Sequence, residues 1–127
     1  MLVMQNNTQQ QHNQVQRELR DVSSTARLFS FNRPVYMTSA VWHDCVELMD
    51  HNGKTIDELA VLQRLRHVLF MASSALHGRV KNLECDFRIH RVPNDSKARH
   101  PEPTTLKIVA HEDQFNQPVI TIKQPDE

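Results

Sequence analysis

His43, Asp44 and Cys45 follow one another in the sequence and supply an imidazole, a carboxylate and a thiol. These are the three groups that a cysteine hydrolase uses. The segment around them has helical spacing, and residues one or two apart on a helix do not face each other, so His43 does not activate Cys45 locally. A catalytic Cys45 would need a distant histidine such as His90 or His111. The sequence favours a core thiol instead, and we predict that the protein is not an enzyme.

The chain has eight histidines and two cysteines, side chains that commonly bind metal ions. Helical zinc sites use histidines four residues apart or close Cys/His pairs. The histidines of the two predicted helices are eight and ten residues apart, which is not ligand spacing. His90 and His111, on two predicted strands, could be cross-strand neighbours, but two ligands alone make a weak site. We therefore expect no metal. The chain also has only two glycines with which to build a phosphate-cradling loop, so we expect no cofactor either.

Basic residues concentrate between positions 88 and 100, although the chain as a whole is balanced, with 15 Lys and Arg against 15 Asp and Glu. Proteins that live on nucleic acid usually carry a basic excess, because neutralising phosphates drives their affinity. Acidic residues also interrupt this segment. We keep a nucleic-acid-binding accessory factor as the alternative function, with candidate contacts at Arg88, Arg91, Lys97 and Arg99.

The composition, 39% hydrophobic and 24% charged, is ordinary for one globular domain. Residues 1–18 are rich in Gln and Asn and bury too little apolar surface to offset the entropy of ordering, so we predict a disordered tail. Residues 19–127 should form a single domain. No apolar run approaches the roughly 20 residues that span a bilayer, and no signal-peptide core is present. We therefore expect a cytoplasmic protein with no membrane partner.

Two helices are predicted ahead of the main strands. The first should begin at Thr38 or Ser39, whose hydroxyl can cap it, and should end near Gly53. Its apolar residues share one face, with the spacings of one, three and four that a helix requires: Val41, Trp42, Cys45, Val46 and Met49. The second should begin with a capping box, in which Thr55 is the N-cap and Glu58 reaches back to it.

Three strands should follow, at residues 83–90, 104–110 and 118–123. The first alternates between apolar and polar residues, and its inward positions are Leu83, Cys85, Phe87 and Ile89. Because no crossover helix separates the strands, they should form an antiparallel meander. The predicted fold is α+β, with two helices packed on a three-stranded antiparallel sheet. Residues 34–37 are predicted only as an extended lead into the first helix, and residues 18–22 as a short strand.

The second helix is apolar on more than one side, because Val61, Val68, Phe70 and Met71 widen its main stripe. In a small domain such surface is most simply covered by another protein chain. We therefore predict a protein interface at these four residues, occupied by a second copy in a homodimer or by a host protein. A charged residue at Val68 or Phe70 should then dissociate the complex without unfolding the chain.

Several short runs resemble a family of small bacterial proteins known as a domain of unknown function and carried by plasmids, phages and integrated elements. The likeness extends from about Asp21 to Glu127, and the N-terminal opening departs from the family pattern. The runs are Arg33–Val46, Arg64–Leu65, Val68–Ala72, Phe87 with Arg91–Pro93, Thr105–Lys107 and Pro118–Ile122. The resemblance implies a mobile-element setting and transfers no catalytic residues. We therefore expect a non-enzymatic accessory protein of a phage or plasmid that acts by protein–protein binding and inhibits a host or defence factor.

Overall fold

A computed structural model of the chain describes residues 18–48, 57–77, 84–91 and 101–127. The N-terminal elements are strand β1 (Leu19–Asp21), helix α1 (Ser23–Ala26) with a 3₁₀ turn (Arg27–Phe29), strand β2 (Val35–Thr38), and helix α2 (Ser39–Val41) with a π-turn (Trp42–Val46). The C-terminal elements are helix α3 (Glu58–His77) and strands β3 (Glu84–Arg91), β4 (Glu102–Glu112) and β5 (Pro118–Lys123). Of the predicted tail, only Glu18 lies within the described residues, and its carbonyl oxygen accepts a 3.2 Å hydrogen bond from the Ser39 amide.

The five strands form one sheet in the order β1-β2-β5-β4-β3. The predicted antiparallel pairing of β3 with β4 and of β4 with β5 is confirmed. The predicted α+β class is also confirmed, but the described residues form three helices rather than two and five strands rather than three. The sheet is mixed rather than antiparallel, because β2 pairs in parallel with β5.

Strand β2 extends the sheet because its alternate side chains, Val35 and Met37, are fully buried. They lie opposite Ile120 and Ile122 of β5. The Ile120 amide donates a 2.9 Å hydrogen bond to the carbonyl oxygen of Pro34. Proline has no backbone N–H to donate, and it is tolerated here because it lies at the start of the strand. The pairing joins residues more than eighty positions apart in the sequence, so local alternation did not reveal it.

The core lies between the helices and one face of the sheet, which we call the helix face. In β3 the alternation is as predicted, with Cys85, Phe87 and Ile89 buried and their polar neighbours exposed on the opposite face. Leu83 lies outside the described residues. The strands contribute Leu106, Ile108, Ile120 and Ile122 to the same core, and α3 contributes Leu65, Val68, Leu69 and Ala72.

Helix α3 begins later than the predicted capping box would place it. The side-chain oxygen Oδ1 of Asp57 accepts hydrogen bonds from the amides of Leu59 and Ala60, at 3.0 and 3.3 Å. Asp57 is therefore the residue that caps the helix, since its short carboxylate satisfies two amides that have no partner within the helix. The predicted cap, Thr55, lies outside the described residues.

The first predicted helix is much shorter than the apolar spacing indicated. Thr38 is its N-cap, as predicted, because its hydroxyl oxygen accepts from the Val41 amide at 3.3 Å. After one turn the chain widens into the π-turn, closed by a 2.8 Å hydrogen bond from the Glu47 amide to the Trp42 carbonyl oxygen. The backbone then leaves the helix at Glu47. Val41, Cys45 and Val46 are still buried on one side, whereas Met49 and Gly53 lie outside the described residues.

Within the part of the chain that the structure describes, no helix is both long enough and apolar enough to cross a membrane.

Candidate functional site

Cys45 occupies the π-turn and is almost fully buried, with 2% of its surface exposed. Burial raises the pKa of its thiol to about 11, and the neighbouring Asp44 carboxylate adds to the shift. The reactive form of cysteine is the thiolate, and this environment disfavours it at neutral pH. His43 points elsewhere, with its Nδ1 atom 2.9 Å from Oε1 of Glu47 and its side chain 65% exposed.

The two distant histidines are not neighbours, so the predicted cross-strand pair is wrong. His90 lies opposite Pro103, at the start of β4, whereas His111 lies eight residues further along that strand, about 26 Å away. His111 is on the face of the sheet opposite to the core, and its Nε2 atom is 2.8 Å from Oγ1 of Thr121. Among the described residues, no group of three or more His, Cys, Asp or Glu side chains could hold a metal ion.

The predicted nucleic-acid contacts are divided between the two faces of the sheet. Arg88 is exposed on the face opposite to the core. Arg91 is three residues further on, so it points to the helix face, where its guanidinium lies 3.3 Å from the Asp44 carboxylate. Lys97 and Arg99 lie outside the described residues. The structure therefore does not bring Arg88 and Arg91 onto one surface.

Charges on the opposite face are mixed rather than uniformly basic. Two acidic residues and one basic residue, Glu84, Asp86 and Arg88, occupy successive exposed positions of β3 on this face. The Nζ atom of Lys107 on β4 is 3.2 Å from Oε1 of Glu84, so part of the positive charge there is already paired.

An aromatic pair joins the 3₁₀ turn to α3. The rings of Phe29 and Phe70 meet edge to face, with centroids 6.3 Å apart and planes inclined at 66°. Ser73, one turn along α3, donates a 2.7 Å hydrogen bond to the Phe29 carbonyl oxygen and fixes the turn in place. Phe70 remains 54% exposed, and Leu28 beside Phe29 is 63% exposed. We call Leu28, Phe29 and Phe70 the aromatic patch.

The four residues of the predicted interface do not share one surface. Val68 is 1% exposed and belongs to the core of the chain itself, so its place in the predicted interface is wrong. Its position on α3 faces the sheet, two residues and about 200° of helical rotation away from Phe70. Val61 and Met71 are half-buried against the same core. Phe70 alone of the four is largely exposed.

A second feature of α3 is a cleft of about 350 Å³ beside its first half. We call it the arginine cleft. Its polar residues are Gln63, Arg64 and His67 from α3 and His90 and Arg91 from β3. The apolar residues that line it are Cys45, Leu48, Ala60, Val68, Ile89 and Pro101.

Arg64 connects the cleft to the π-turn. Its Nε atom donates a 3.1 Å hydrogen bond to the Val46 carbonyl oxygen, which lies at the end of a helical segment where carbonyls lack internal partners. Burial lowers the pKa of Arg64, and the positive charge of Arg91 adds to that effect. Arg64 was not among the predicted site residues, although the sequence carries one signal for it. Arg64 lies three residues after Val61 and four before Val68, within the inward stripe of α3.

A smaller cleft of about 310 Å³ lies near β1, beside Arg20 and Trp42. The guanidinium carbon of Arg20 is 4.3 Å from the centre of the Trp42 ring, a cation–π contact that covers one side of the indole. Next to it, hydrogen bonds from Ser23 lower the pKa of Asp21. These contacts tie β1 to α1 and the π-turn.

No family model, no curated protein and no solved structure matches the chain. The resemblance to the mobile-element family therefore stays a prediction.

Proposed function

We propose that this protein acts by protein–protein binding through the aromatic patch. The observation that carries the proposal is the exposure of Phe70, 54%, at the ring of Phe29, together with the 63% exposure of Leu28, which precedes Phe29 in the chain. Aromatic side chains are enriched in the buried centres of protein interfaces and supply much of their binding energy. Phe29 and Phe70 are held in place by their mutual contact, so little side-chain entropy is lost when a partner covers them.

The partner in this proposal is a second copy of the chain or a host protein. The setting, an accessory protein of a phage or plasmid that inhibits a host or defence factor, rests on the resemblance of the sequence runs alone. Its non-enzymatic character is supported by the buried Cys45, whose raised pKa disfavours a thiolate.

The alternative function, nucleic-acid binding, has less support. Arg88 is exposed on the sheet, but Asp86 lies two residues before it on the same face. Arg91 contacts Asp44 on the helix face. We therefore place this function second.

The test of the patch is the variant Phe70→Asp, measured by sedimentation and by affinity capture from host lysate treated with nuclease. We expect the wild-type protein to form a dimer or to retain one dominant partner, and the variant to lose that complex because a carboxylate is costly to bury in an apolar interface. The variant should remain folded, with its free energy of unfolding reduced by about 1 kcal/mol through loss of the aromatic pair.

Phe115→Asp is the matched control. Phe115 is also a largely exposed phenylalanine, 70% exposed, in the turn between β4 and β5, and it lies outside the aromatic patch. The same change there should leave the complex intact. A wild-type protein that is monomeric and retains no partner, or a complex that tolerates Phe70→Asp, would refute the proposal.

A further inference from the structure

The arginine cleft lies beside the first half of α3, away from the aromatic patch, and its role is separate from the function proposed above. Its volume, about 350 Å³, lies at the lower end of the range for small-molecule sites. Such sites typically combine apolar walls with a few polar groups that orient the ligand. The lining of this cleft fits that description, because Val68 and Ile89 are apolar while Arg64 and Arg91 carry charge.

Two guanidinium groups, those of Arg64 and Arg91, are among the described residues that line the cleft. None of the described residues that line it is acidic, and Asp44 supplies a carboxylate from the side, 3.3 Å from Arg91. Burial lowers the pKa of Arg64, and the positive charge of Arg91 lowers it further, so the two guanidinium groups repel each other. Like charges in a partly buried place repel strongly unless an anion lies between them.

The guanidinium of Arg91 has donors to spare. Its side chain is only 17% exposed, so much of its hydration is lost. Within the described part of the chain, its Nε atom is buried and has no hydrogen-bond acceptor. A guanidinium has five N–H donors in a rigid fork that matches the oxygens of a carboxylate or phosphate.

We propose that the arginine cleft binds a small organic anion, with the carboxylate or phosphate group against Arg91 and Arg64 and the apolar body against Val68 and Ile89. Gln63 and His67 lie on α3 at the same cleft and supply further polar contacts to the oxyanion. The shared chemistry is an oxyanion on a compact apolar body. Nothing in the proposal requires a reaction.

The test is calorimetric titration of the whole protein at low ionic strength with three probes that share one ring: benzoate, phenyl phosphate and benzamide. We expect saturable binding of benzoate, of phenyl phosphate or of both, and no binding of the neutral benzamide. Whichever anion binds more tightly identifies the oxyanion that the cleft prefers.

Two cleft variants and one control locate the binding. Arg91→Gln should weaken it by about tenfold or more, because a charge-assisted hydrogen bond is lost. Arg88→Gln removes the same charge from the opposite face of the same strand and should leave affinity unchanged. Gln63→Trp fills the cleft from an exposed helix position, keeps both arginines and should abolish binding. The unfolding midpoint of each variant confirms that it is folded.

Three results would overturn the proposal. The first is a folded wild-type protein that binds neither anion, which would mean that the cleft holds only water. The second is benzamide binding as tightly as benzoate, because charge would then play no part. The third is equal loss of affinity in Arg88→Gln and Arg91→Gln, because the binding would then be non-specific attraction to positive charge.

Discussion

The two halves of helix α3 depart from an ordinary globular surface in opposite ways. In the first half, Arg64 lies partly buried beside the arginine cleft and is bonded to the Val46 carbonyl oxygen. In the second half, Phe70 stands 54% exposed against the ring of Phe29. Buried charges and exposed aromatic rings are both uncommon, and both are more informative than average residues. One helix thus brings charge inward at one end and apolar surface outward at the other.

These two departures have different support from the rest of the chain. The inward charges have specific partners within the chain, since Arg64 contacts a main-chain carbonyl and Arg91 contacts Asp44. Among the described residues, the outward ring of Phe70 contacts one aromatic ring, that of Phe29, and more than half of the surface of Phe70 stays in water. Substitutions near the first half should therefore change stability, whereas substitutions in the aromatic patch should change binding.

The largest expected effect is that of Val68→Asp, which lies on the core side of α3 between the two halves. A carboxylate buried without a partner should cost about 3–5 kcal/mol of the free energy of unfolding, a large share of the total for a domain of this size. Urea denaturation followed by circular dichroism measures the loss. Phe70→Asp, two residues away, is the control and should cost about 1 kcal/mol. Equal unfolding midpoints for the two variants would contradict the burial of Val68.

The next effect depends on pH. It concerns Cys45, which lines the arginine cleft beside the first half of α3, and it should not involve the aromatic patch. The pKa of Cys45 is raised to about 11 in the folded protein, whereas an unfolded thiol ionises near about 8.5. Above that pH the unfolded state loses its proton first, so the free energy of unfolding should fall as the pH rises from about 8.5 toward 11, by about 3 kcal/mol at most. Below about pH 8 this contribution is constant.

Cys45→Ala removes the titrating group and is the matched variant for that measurement. The difference in free energy of unfolding between wild type and Cys45→Ala should shrink above about pH 8.5. Phe70→Asp should keep the wild-type slope in this range, because neither of its exchanged side chains titrates there. Parallel curves for wild type and Cys45→Ala would show that the thiol is not desolvated in the folded state.

Local patterns predicted those parts of the fold that depend on local sequence. The alternation of Cys85, Phe87 and Ile89 correctly placed β3, and the three C-terminal strands pair as predicted. Strands β1 and β2 are only three and four residues long, too short for periodicity to identify them as part of the sheet. The parallel pairing of β2 with β5 depends on contacts across most of the chain, which no local pattern contains.

The candidate sites were less predictable than the strands. The exposure of Phe70 follows from its place outside the main stripe of α3, but Val68, which was predicted to be exposed on the same grounds, is buried. The contact between Asp44 and Arg91 joins residues 47 positions apart, so the sequence gives no local sign of it. The apolar spacing does not distinguish the π-turn from an ordinary helix, because Val41, Cys45 and Val46 would be buried in either case.

The smallest expected effect concerns the cap at the first half of α3. Asp57→Ala removes the oxygen that accepts from the amides of Leu59 and Ala60, and should lower the free energy of unfolding by about 1 kcal/mol. Asp57→Ser retains a capping oxygen and should recover most of that loss. Hydrogen exchange should accelerate at the amides of Leu59 and Ala60, whereas the amide of Phe70, more than two turns away, should keep its protection.

This measurement also distinguishes the observed cap from the capping box that the sequence predicted. If Thr55 were the N-cap, Thr55→Ala would cause the larger loss and Asp57→Ala would be nearly neutral. With Asp57 as the cap, the order is reversed. Because Ala60 lines the arginine cleft, fraying of the first turn should also weaken anion binding there without affecting the aromatic patch. If Asp57→Ala weakened both anion binding at the cleft and partner binding at the aromatic patch, the helix would respond as one unit and its two halves would not be independent.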